Sequence, residues 1–91
     1  MVKRIWKKLE LNACKVGMVA KTIGINSKDL GGGEIAYERV WIDGVIIDIK
    51  TSIKTGKPRA IVFQALDGSI FEIESTKETK ETTQILLEVD M

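Results

Sequence analysis

The chain has no histidine, a single cysteine, a single proline, and only five aromatic residues among 91. Without histidine, the usual general base and the commonest metal ligand are missing. Cys14 stands alone, so neither an internal disulfide, a Cys–His nucleophile pair nor a Cys-x-x-Cys metal knuckle can form. A lone thiol fits a reducing compartment, and the expected location is cytoplasmic. No uninterrupted apolar run approaches the roughly 18 residues of a membrane span, so a soluble chain is expected. The charges of Met1-Val2-Lys3-Arg4-Ile5-Trp6-Lys7-Lys8 are followed by no long apolar stretch, unlike a secretory signal. Carboxylates recur at Asp43 and Asp48 and at Glu72 and Glu74, but a solvated strand face explains the second pair more simply than a metal does. Nothing positions a base beside a lysine or Tyr37. The expectation is a non-enzyme with no cofactor and no metal site.

What the chain does have is a sharp β signal. Ile61-Val62-Phe63-Gln64-Ala65-Leu66 and Ser69-Ile70-Phe71-Glu72-Ile73-Glu74 flank Asp67-Gly68, a pair that favours a two-residue hairpin loop with φ > 0 at both positions. That loop would pair Leu66 with Ser69, Gln64 with Phe71 and Val62 with Ile73. The uncharged face Val62-Leu66-Phe71-Ile73 is then the better core candidate. The opposite face sets Ile61, Phe63 and Ile70 beside two glutamates. The N-terminal segment, a second sheet or a partner is expected to cover it, or the folding of the sheet at a barrel corner.

With 44% hydrophobic and 30% charged residues, the chain is expected to form one small domain over 1–91. Residues 1–12 read as a basic arm or a short amphipathic helix, since Ile5, Trp6 and Leu9 have helical spacing. Trp6 could stack on a base or plug the barrel from below. Residues 13–25 alternate like a strand, and Asn26 to Gly33 reads as a mobile hairpin tip. The triplet Gly31-Gly32-Gly33 lacks the following Lys-Ser or Lys-Thr of a phosphate loop. Asp43-Gly44 allows two readings. One is a second hairpin loop, preferred because Arg39 would face Asp48; the other is a bulge in one long strand. Residues 50–59 read as a polar loop, and Ser75-Thr76-Lys77-Glu78 as a capping box opening one helical turn. Residues 85–89 read as an edge strand.

Net charge is +1, but it is unevenly spread. Residues 1–28 hold seven cations against Glu10 alone, or +6, which leaves −5 for the remainder. The basic third could face a polyanion, or the fold could mix the two signs over an even surface.

The order of parts resembles the SH3-like small barrels, including Tudor and KOW-type modules. Lys15-Val16-Gly17-Met18-Val19-Ala20-Lys21 is similar to their opening strand, and Asp43-Gly44-Val45-Ile46-Ile47-Asp48-Ile49 to their second. Ala60-Ile61-Val62-Phe63 and Asp67-Gly68-Ser69-Ile70-Phe71-Glu72-Ile73 resemble the hairpin that follows. The resemblance implies a barrel of about five strands with a helical turn before the last. An OB-like barrel is the alternative, although it usually carries a helix where this chain has residues 50–59. The chain departs from Tudor modules in lacking their aromatic cage, and its 26–38 insertion is long. Folds of this kind host many functions.

The resulting expectation is a non-catalytic module that binds a macromolecule. For nucleic acid, the candidate residues are Lys3, Arg4, Trp6, Lys7, Lys8, Lys50, Lys54, Lys57 and Arg59, with the N-terminal and loop cations sharing a face. The alternative is a protein partner, with the chain serving as an accessory subunit or a small inhibitor of mobile-element type that docks through Ile61, Phe63 and Ile70.

Overall fold

A computed structural model describes residues 1–90. Strands make up 66% and helices 10% of it, so the chain is mainly β. β1 (Val2–Lys8) leads through a 3-10 turn (Leu11–Ala13) to β2 (Val19–Gly31) and β3 (Glu34–Thr51). β4 (Pro58–Ala65), β5 (Ile70–Glu74), α1 (Lys77–Thr82) and β6 (Thr83–Asp90) follow. All six strands form one antiparallel sheet in the order β1-β6-β2-β3-β4-β5. The sheet has free edges at β1 and β5, so the expected barrel closure, SH3-like or OB-like, is absent. The helical turn before the last strand is present, and residues 52–57 between β3 and β4 hold no helix.

The N-terminal segment is neither helix nor free arm. It pairs along its length with β6, from Val2 opposite Asp90 to Lys8 opposite Gln84. β6 is therefore an inner strand where an edge was expected, bonded on its other side to β2 at residues 83–85. Asp43-Gly44 is not a hairpin loop: β3 runs straight through it, and the bulge falls three residues after Gly44, around Ile47. The helix cap is also displaced by one residue. Thr76 and Thr79 exchange side-chain-to-backbone hydrogen bonds, in place of Ser75 and Glu78.

The turn at Asp67-Gly68 decides which face is inside. Ala65 and Ser69 close a three-residue loop: the Ala65 N–H donates to Ser69 O, and the Gly68 N–H to Ala65 O. Only Gly68 has positive φ (92°); Leu66 and Asp67 do not. This is the three-residue hairpin with a left-handed glycine in its last loop position. Asp67 accepts the Ser69 N–H at 2.8 Å, and that bond holds its carboxyl below the usual range. The extra loop residue shifts the register to Phe63–Phe71, Gln64–Ile70 and Ile61–Ile73. A one-residue shift exchanges the faces of a strand. Ile61 and Phe63 are thus core residues with no exposure, whereas Leu66 lies in the open.

The core gathers Ile46, Ile61, Phe63, Ile73 and Ile85 on one face of the sheet. Leu9 and Cys14 cap it from the segment after β1, with Leu11, Ala13 and Met18 packed alongside. Small residues make room at the centre: Ala20, Gly44 and Ala65 lie side by side across β2, β3 and β4. A Cβ on Gly44 would collide with the Gln64 carbonyl oxygen and come within 2.6 Å of the Phe63 ring. Beyond this core, β2 and β3 continue as a two-stranded ribbon. Its residues from Ile25 to Arg39 are exposed on both faces, within overall dimensions of 51 × 39 × 25 Å.

Two consequences are measurable. Gly44→Ala should destabilise by ~1–3 kcal/mol, because a well-packed site must move to admit the methyl. Gly68→Val should cost ~1–2 kcal/mol through its left-handed φ. Urea midpoints read both effects, and an unchanged midpoint for either variant contradicts its assignment.

Burial, and then the Glu10 charge, push the Cys14 thiol up to about 11. Reactivity follows the thiolate, so at pH 8 a thiol reagent should label the folded chain far more slowly than the urea-unfolded one. Equal rates would place Cys14 outside the core.

Candidate nucleic-acid interface

Strand alternation divides the basic N-terminus between two faces. Lys3 and Lys7 lie on the core side with Ile5, and Arg4, Trp6 and Lys8 on the other, so the expected single basic face does not form. Arg4 pairs with Glu88 across β1 and β6 at 3.4 Å, and Lys7 with Glu10 at 2.9 Å. The 50–59 cations divide as well. Arg59 bonds Glu74 at 3.0 Å and Glu72 at 3.4 Å, and Lys50 reaches Glu72 at 3.4 Å. These two cations are committed to the β5 glutamates. Lys54 is exposed in the 52–57 loop.

At one end of the sheet the cations do converge. A cleft of about 590 Å3 opens where β1 ends, bounded by the 3-10 turn, the start of β4 and α1. Lys7, Lys8, Lys57 and Lys80 line it, with Glu10 as the one acid. Its apolar wall is Leu9, Leu11 and Pro58. Among the described residues Lys8, Lys57 and Lys80 have no ion-pair partner. A recess lined by four cations against one acid concentrates positive potential at its mouth. Lys80 was not singled out from the sequence. It lies in the six-residue α1, and only the fold brings that turn against β1.

A second cleft, of about 620 Å3, opens where β6 parts from β2. Its charges are mixed: Arg4, Lys15 and Glu88 line it, and the Arg4–Glu88 pair is internally neutral.

The uncovered face of the sheet carries the remaining feature. Trp6 does not plug the core; it is 40% exposed. Trp41, on β3, is 44% exposed on the same face. Lys21 projects between them from β2, its Nζ lying 4.2 Å from the Trp6 ring centroid and 4.8 Å from that of Trp41. Both separations suit a cation–π contact. Sequence reading missed Trp41 and Lys21. The period-2 run Tyr37, Arg39, Trp41 held the signal, but it could be used only once β3 was known to be continuous.

For the proposed protein-docking face, the structure keeps only Ile70 at the surface, 61% exposed. Ile61 and Phe63 are fully buried and present nothing to a partner.

Lys21→Gln should lower stability by ~0.5–1 kcal/mol through loss of the two ring contacts and shift the tryptophan emission. Unchanged emission would mean that the ammonium does not lie against the indoles. Comparison with family models, with characterised proteins and with solved structures returns no match for this chain.

Proposed function

We propose that the protein is a non-catalytic nucleic-acid-binding module that holds phosphate groups in the cleft of Lys7, Lys8, Lys57 and Lys80. One observation carries this reading. Segments far apart in sequence deliver Lys8, Lys57 and Lys80 to one recess, in which none of them has an ion-pair partner among the described residues. Arg59 and Lys50, by contrast, sit against the β5 carboxylates. Phosphate oxygens are the complementary ligand, and each contact releases counterions.

The reading replaces Lys50 and Arg59, which belong to an internal ion-pair cluster, with Lys80. It retains Lys7, Lys8 and Lys57. Lys3 and Lys54 contribute to the general field and not to the recess, and Arg4 is neutralised by Glu88.

The parent protein should bind a mixed-sequence oligonucleotide at low salt. The triple variant Lys8→Ala, Lys57→Ala, Lys80→Ala should bind more weakly. The slope of log K against log salt concentration should fall by roughly one unit per lost contact. Thermal stability should change little, because exposed charges contribute little to folding. Lack of binding by the parent at ~50 mM salt, where non-specific binders still associate, would end this assignment.

A further inference from the structure

We infer that the bound strand is single-stranded and that its bases stack on Trp6 and Trp41 across the uncovered sheet face. This inference rests on the phosphate-binding cleft proposed above. Two independent features are joined by one strand. Lys8 lines the cleft, and Trp6 stands two residues earlier on the same face of β1. Two residues along a strand span about 7 Å. Lys8, Gln84 and Lys21 form one row across β1, β6 and β2, with Trp6 two residues to one side of it and Trp41 two residues to the other. A ligand leaving the cleft over Lys8 therefore runs toward the Lys21 ammonium between the two rings.

The ring geometry favours bases as the occupant. β1 and β3 are separated by β6 and β2, so three strand spacings, about 14 Å, lie between their axes. Lys21 bridges that gap, with one ammonium against both rings. The indoles are thus held in place before any ligand arrives, which reduces the ordering cost of binding. Lys21 stands opposite Asp43 in the β2–β3 register, yet no ion pair joins the two. Its charge is directed to the aromatic pair. Arg39 lies two residues from Trp41 on the same face of β3 and has no ion-pair partner among the described residues. Cations thus flank the aromatic pair: Lys8 lies beside Trp6, level with Lys21, and Arg39 lies beyond Trp41.

Exposed aromatic faces combined with a cationic groove suit unpaired bases, whose π-faces are free. In a duplex those faces are stacked away, and recognition relies on phosphates and groove edges. Trp6 and Trp41 would find no partner surface there.

One titration separates the possibilities. The full chain is titrated with the same mixed-sequence oligonucleotide, first single-stranded and then annealed to its complement, while tryptophan emission and affinity are followed. The single strand should bind more tightly and quench the emission. Trp6→Ala and Trp41→Ala should each weaken single-strand binding roughly ten- to a hundred-fold and leave duplex binding and its salt slope in place. Trp6→Phe and Trp41→Phe, which retain a stacking face and guard against loss of fold, should restore most of the affinity. Equal, salt-dependent binding of both forms without quenching would overturn the stacking inference and leave the phosphate cleft standing. Binding of neither form would overturn both. Single-strand binding that is insensitive to both alanine variants would overturn stacking alone.

Discussion

The Phe63 ring against Gly44 is the contact on which the remaining geometry depends. Gly44 is the one place in the long third strand where a ring from the next strand can settle onto the backbone, and Ala20 and Ala65 widen the opening on either side. With Phe63 seated there, β3 and β4 have one register available. Because strand side chains alternate, that register also fixes the opposite face. Asp43 and Trp41 turn outward on β3, Lys21 on β2, and Trp6 on β1. The aromatic track is thus a consequence of packing on the other side of the sheet, three strands away from its first ring.

The β character of the chain and the left-handed Gly68 were legible in the sequence, because turn chemistry and period-2 alternation are local. Loop length was not legible. Asp67-Gly68 suits a two-residue loop, but it equally suits the end of a three-residue loop that takes in Leu66. Both are compatible with the flanking residues, and they give opposite faces. The uncharged face looked like the core because glutamates sit between the apolar residues of its rival. Glu72 and Glu74 remain at the surface, however, held there by Arg59 and Lys50. The first strand was illegible for another reason: its partner lies at the far end of the chain, and Ile5, Trp6 and Leu9 happen to have helical spacing.

The uneven distribution of charge along the chain is partly resolved by folding. Arg4 and Lys7 find acids, as do the β3 and β4 cations facing β5. Among the described residues, Lys8 on the edge strand β1 finds no acid, and neither do Lys57 and Lys80 in the cleft beside it. Lysine on an edge also discourages pairing with a second sheet. Lys8 therefore both helps keep the edge solitary and supplies charge to the cleft. Lys57 and Lys80 protect no edge strand, so their convergence on Lys8 is not explained by edge protection.

The outer part of the β2–β3 ribbon stands apart from all of this. Its strands bond only to each other, and its side chains bury almost nothing. A lone two-stranded ribbon is marginal in water, so its pairs can open and close without disturbing Phe63 or the sheet behind it. The molecule is thus divided into a cooperative body and an appendage with its own, lower free energy of opening. Residues at the ribbon tip can be added, removed or exchanged with little effect on the stability of the body. The length of this arm is therefore free to vary where the rest of the fold is not.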